Sequence, residues 1–188
     1  NSRKGIQTEA WIEISPSNVA YSRCKAYNNL SVYYNSCNTR CAIEIYNNEQ
    51  LITKDSLNSD GLPHVFNWRF TSTPKNLRIV FKSTESPIIN AVSLEGDIGV
   101  QMTNIAMRGS SGTSFGAVDY GSMSFMHKIL NTKLIILQFG GNSIPFFKDS
   151  SGVRSYARRF KRQIQFINKC TPNAAIIVIG PSDMSQLQ

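Results

Sequence analysis

No apolar run in this chain approaches the ~20 residues that a membrane-spanning helix requires, and no charged-then-apolar leader opens it. The sequence begins at Asn1 rather than Met, so the expectation is a soluble chain, processed or cut at both ends. Histidine is scarce: there are two, and neither His64 nor His127 stands beside the cysteines at metal-ligand spacing. The four cysteines, Cys24, Cys37, Cys41 and Cys170, contain no CxxC pair, so neither a metal nor another cofactor is expected. Cys37 and Cys41 are near enough in sequence to bridge in an oxidising compartment, and buried free thiols fit equally well. Acidic residues are also short, 12 against 20 Lys and Arg, for a net charge of +8. That excess would suit an anionic partner, yet no nucleic-acid recognition motif accompanies it. Much of it falls together at Arg154, Arg158, Arg159, Lys161 and Arg162. The charge is therefore read as the solvated face of one helix, and nucleic acid is not an expected partner.

What is present is enough apolar material, 41% of 188 residues, for one moderate core or two small ones. Two halves of different grammar divide it. From Ala10 to Leu94 short strands are broken by polar turns, as in Ala10–Ile14, Ala42–Tyr46 and Asn76–Phe81. Alternation with period two gives each strand one buried face. The gaps hold turn formers such as Asn47-Asn48, Ser59-Asp60-Gly61 and Thr73-Pro74. Strands at this spacing predict an antiparallel sandwich or jelly roll. Most of the chain's aromatics lie here, and alternation predicts one outward-facing ring at Tyr33-Tyr34 and in His64–Trp68.

After about Ile98 the period changes. Leu134–Phe139 and Ala175–Ile179 are nearly unbroken apolar runs, as expected of parallel strands covered on both faces. Between them Val153, Tyr156, Ala157, Phe160, Ile164 and Ile167 recur at helical spacing, which completes a βαβ unit. A helix over Ser122–Leu130 is predicted before it, and Gly99–Met107 is read as an earlier strand.

Ligands of open α/β sheets bind beyond the carboxyl ends of the strands. Three such ends are legible: Arg108-Gly109-Ser110-Ser111-Gly112, Gly140-Gly141-Asn142-Ser143 and Gly180-Pro181-Ser182-Asp183. Each sets glycine beside small polar residues, which permits unusual backbone angles and close approach to a substrate.

A glycine after an early strand, followed by Gly-x-Asn after an apolar strand, resembles the second and third blocks of the SGNH or GDSL serine hydrolases. Val92–Gly96, Asn104–Gly112 and Ile179–Met184 are further similar to a bacterial subgroup with a carbohydrate-binding-like β-sandwich inserted before the glycine block. The resemblance implies a sandwich module over residues 1–97 and a partial flavodoxin-like α/β hydrolase domain, an incomplete three-layer parallel sheet, over 98–188. It implies that the Gly109 N–H and the Asn142 amide hold the oxyanion of a tetrahedral intermediate, and that Gly140 supplies the turn aiming Asn142. Ser110, Ser182 and Asp183 would shape the substrate site. The implied activity is deacetylation of a polysaccharide or peptidoglycan through an acyl-serine, in an extracytoplasmic setting, with an acetylated carbohydrate or cell-wall glycan as partner. The family's Gly-Asp-Ser and Asp-x-x-His blocks are not present between Asn1 and Gln188, so an internal fragment of the parent enzyme is expected. Ser143 stands where the family's usual Gly-x-Asn-Asp ends in aspartate. The competing expectation is a non-catalytic carbohydrate-binding or adhesion protein built on a degenerate hydrolase scaffold.

Overall fold

The computed structural model describes residues 5–19 and 21–181. The chain forms two units, Asn1–Gln101 and Met102–Gln188. In the first, β1 (Thr8–Ile14), β2 (Asn29–Asn35), β3 (Cys41–Asn47), β4 (Gln50–Leu57), β5 (His64–Arg69), β6 (Leu77–Ser83) and β7 (Ile88–Glu95) build two antiparallel sheets. Their orders are β1-β6-β3-β4 and β5-β2-β7. Only β3 and β4 form a hairpin within one sheet; every other connection passes from one sheet to the other, as in a jelly roll. Asn48 takes the left-handed backbone (φ 55°) that the two-residue β3–β4 turn demands and that asparagine tolerates.

Alternation decides which side chains are buried. Leu30, Val32 and Tyr34 of β2 meet Ile43 and Ile45 of β3 and Leu77, Ile79 and Phe81 of β6 in one apolar cluster between the sheets. Half-buried Phe66 and Trp68 of β5 pack against it. Tyr33 and Tyr34 are both buried, contrary to the outward ring expected there. The register of β2 against β7 shifts between these two residues. Cys37 and Cys41 are buried free thiols at the entry to β3, and burial pushes Cys41 up to about 11. The side chain of Cys24 lies outside what is described.

The outer face of the four-stranded sheet carries a charge network centred on Glu44, which is only 3% exposed. Its carboxylate accepts from Lys54 (2.9 Å), Lys82 (2.8 Å) and the Tyr46 hydroxyl (2.7 Å). These donors, Lys82 first, draw its pKa from 4.5 down to about 2. A depressed carboxylate stabilises the fold above its unfolded pKa, and that stability is lost as pH falls from about 4.5 toward 2. Lys54 is largely exposed, and solvent screening leaves on the order of 1–2 kcal/mol. Urea titrations of Glu44→Gln and the parent chain should differ by this amount at neutral pH and converge near pH 2. A gap that persists at pH 2 would mean the charge is not its source.

The second unit holds α1 (Tyr120–Ile129), β8 (Leu134–Gln138), α2 (Ser150–Cys170) and β9 (Ala175–Ile179). β8 and β9 pair in parallel and α2 connects them. Asp119 and Asp149 cap the two helices through their first-turn N–H groups. Phe160 and Ile167 of α2 are buried with Leu137 of β8, and Tyr156, Ile164 and Ile176 pack around them. Val153 and Ala157, expected in this stripe, are exposed: the apolar arc is narrower and runs through Tyr156, Phe160, Ile164 and Ile167. Gly99–Met107 is not a strand. It has no ladder partner among the described residues and lies open, Val100 being 98% exposed. Two parallel strands are thus the described extent of a sheet for which the resemblance implies a wider, three-layer form. Ile136 and Ile177, register partners across the pair, are exposed.

Candidate functional site

The predicted glycine loops meet beyond the carboxyl end of β8. Phe139 and Gly140 follow the strand, and Gly140 takes φ 120°, a conformation closed to most other residues. A Cβ there would also approach Pro181 Cδ to 3.1 Å, so the loop after β9 lies against the loop after β8. The Gly140 carbonyl accepts from both Ser143 N (2.8 Å) and Ile144 N (3.2 Å), which curls the chain and sets Asn142 at its apex. In the Arg108–Gly112 loop Ser110 N donates to Met107 O (3.1 Å) across a turn with Gly109 at φ 76°. Gly112 N then donates to Ser110 Oγ at 3.1 Å.

Asn142 spans the gap between loops: its Nδ2 donates to the Ser110 carbonyl at 3.3 Å. The amide of Asn142 thus reaches the peptide between Ser110 and Ser111, beyond the carboxyl end of β8. The Gly109 N–H has no acceptor among the described residues. Both Gly109 and Asn142 are exposed, whereas Ser143 is buried. Ser182 and Asp183 lie outside the described residues.

Tyr156 is a member of this site that sequence periodicity assigned only to the apolar stripe of its helix. Its hydroxyl donates to Ser111 O at 2.8 Å and lies beside the Gly140 turn. Burial pushes its pKa up, with the Ser143 hydroxyl opposing, so it remains a neutral donor. The ring stacks on Phe160 at 5.9 Å, which fixes the hydroxyl between two loops far apart in sequence. A tyrosine within a helical stripe gives no local sign of such a tether.

Neither histidine supplies a base here. His64 opens β5 in the first unit. Its Nε2 lies 2.9 Å from Asp60 Oδ1 and its Nδ1 3.2 Å from Asn58 Nδ2, so both nitrogens are engaged. His127 sits on α1 with Nδ1 3.0 Å from Thr132 Oγ1, and burial lowers its pKa. Among the described residues no serine hydroxyl is hydrogen-bonded to an imidazole, and no group of three potential metal ligands gathers. Nor is any described helix long and apolar enough to cross a membrane.

No protein-family profile matches the sequence, and no curated protein matches it. Among solved structures it is similar to a family two carbohydrate esterase from Clostridium thermocellum, in complex with cellohexaose. That match has 11% identity over 98% of this chain and 74% of the other, with a TM-score of 0.31. It is also similar to a family two carbohydrate esterase from Cellvibrio japonicus, at 12% identity over 92% and 79% of the respective chains and a TM-score of 0.25.

Proposed function

We propose that the second unit carries the oxyanion-stabilising part of an SGNH-type serine esterase acting on an acylated carbohydrate in an extracytoplasmic setting. The single observation that supports this reading is the 3.3 Å bond from the Asn142 amide to the carbonyl of Ser110, the residue next to Gly109. Acyl transfer places negative charge on a carbonyl oxygen, and two preorganised donors from neighbouring loops are what that charge needs. In this reading a substrate carbonyl displaces the long, weak bond to Ser110 O and takes the Asn142 N–H together with that of Gly109. Gly140 aims Asn142, and Ser110, Ser182 and Asp183 are assigned to the substrate site. No described residue is assigned as nucleophile or base.

The test is turnover of p-nitrophenyl acetate. The 188-residue chain is expected to remain at background. In a protein carrying these residues together with a nucleophilic serine, Asn142→Ala is expected to lower kcat about a hundredfold, the usual loss for one oxyanion donor. Serine-dependent turnover that Asn142→Ala leaves intact removes the assignment. A second reading is a non-catalytic carbohydrate-binding or adhesion protein on a degenerate hydrolase scaffold. It predicts no turnover in any longer form.

A further inference from the structure

The outward side of α2 gathers charge of one sign. Phe160, Ile164 and Ile167 pack toward β8 and β9. Helical spacing sets Arg154, Arg158, Lys161 and Arg162 on the opposite side, and all four are exposed. The stripe from Arg154 to Arg162 is about 12 Å long at the usual helical rise. None of its cations takes part in an ion pair among the described residues. The helix has no acidic residue of its own, and Asp149, just before it, is engaged by the Ser151 and Gly152 N–H groups.

A second feature adjoins this charge and is not explained by it. Phe146, in the short turn Ile144–Phe146 ahead of the helix, is 80% exposed. Its neighbour Phe147 is held differently, with its ring 5.5 Å from that of Tyr156 on α2. That contact ties the turn to the helix and leaves Phe146 projecting near the amino end of the stripe. Lys148, between turn and helix, is also exposed. The two features together decide the chemistry of a partner. A soluble polyanion complements the arginines but gains nothing from a protruding phenyl ring. An anionic bilayer meets both, with phosphates at its surface and an apolar layer just beneath. Guanidinium groups suit such a surface, being weakly hydrated and able to hold phosphate through two N–H groups at once. The apolar side of α2 stays packed on its own sheet, so the contact is peripheral and leaves the fold intact.

We propose that the outward side of α2, with Phe146, is a docking surface for an anionic membrane, the arginines contacting lipid phosphates and Phe146 entering the layer beneath the headgroups. The surface lies within the second unit alone and stands whether or not that unit belongs to an esterase.

Co-sedimentation of the unaltered chain with vesicles tests it, comparing phosphatidylcholine alone with phosphatidylcholine containing about 30% phosphatidylglycerol, at about 0.15 M salt. Binding is expected to the mixed vesicles and not to phosphatidylcholine alone. Arg154→Gln, Arg158→Gln and Arg162→Gln should each weaken it about fivefold, the usual share of one cation at such a surface, and the triple variant about a hundredfold. Phe146→Ser should weaken vesicle binding about tenfold. The same variant should leave retention on immobilised heparin at low ionic strength unchanged, because that depends on charge alone. Lys75→Gln, an exposed cation of the sandwich, should change vesicle binding less than about twofold. All these positions are exposed, so the circular dichroism of each variant should match that of the parent. Equal binding to both vesicles overturns the proposal, as does no binding to the mixed ones, or binding unmoved by the triple arginine variant. A Phe146→Ser variant that binds vesicles like the parent also overturns it, leaving a soluble polyanion as the partner.

Discussion

Alanine at Gly112 is expected to cost the second unit about 3 kcal/mol, enough to unfold much of it. Two penalties combine. The backbone sits at φ 73°, where a Cβ is strained whatever the space around it. The added carbon would also fall 2.5 Å from Phe139 Cγ, with two further Phe139 atoms inside 3.0 Å. That ring has no room to yield, being held edge-on by Phe115 at 5.7 Å and by Phe160 at 6.1 Å. Gly109 is the internal control. Its φ is 76°, but nothing lies within 4 Å of its imagined Cβ, so Gly109→Ala carries only the backbone strain of about 1 kcal/mol. Both α-helices belong to the second unit. Urea unfolding followed by the helical circular dichroism signal therefore reads it directly. A Gly112→Ala variant as stable as Gly109→Ala would show that Phe139 does not confine the loop.

The second large effect belongs to the sandwich. Ile79 is fully buried on the central strand β6, flanked in register by Ile12 of β1 and Ile45 of β3. This layer of three isoleucines lies across the middle of the sheet. Ile79→Ala removes atoms on which both neighbours rest, and close-packed surroundings relax only partly, so a loss of about 3–4 kcal/mol is expected against about 1 for Ile79→Val. Both tryptophans, Trp11 and Trp68, lie in the first unit, so fluorescence-monitored denaturation reports on it. A cost below about 1.5 kcal/mol for the alanine variant would mean that the space between the sheets is not filled as described.

Where the sequence was legible, one physical rule dominated the local pattern. Alternation marked Ala10–Ile14, Ala42–Tyr46 and Asn76–Phe81, and all three lie within or across strands β1, β3 and β6, because a sandwich strand must choose a buried face. The apolar runs around Ile136 and Ile177 and the helix between them were equally plain. Glycine beside small polar residues marked the loops around Gly109 and Gly140, since φ 76° at 109 and 120° at 140 strain most other residues. What failed depended on partners distant in sequence. Gly99–Met107 has apolar residues in strand-like order, but a strand exists only where another offers its ladder. Tyr33 and Tyr34 could not both be read as buried, because alternation along one strand assigns adjacent residues to opposite faces and buries only one. The Tyr156 bond to Ser111 and the Trp11–Arg78 pair likewise join residues that no periodicity relates.

The arginine-rich face of α2 has a further consequence. Arg154, Arg158 and Arg162 follow one another at intervals of four on the exposed side, and the helix contains no acidic residue between Ser150 and Cys170. Like charges one turn apart repel, so the helix works against its own polyelectrolyte tension. Mobile anions relieve that tension, and dissolved salt, which loosens ordinary surface ion pairs, would tighten this part of the molecule. For the same reason heparin or nucleic acid would cling to it at low ionic strength and wash off as salt rises, a stickiness that signifies charge density rather than recognition.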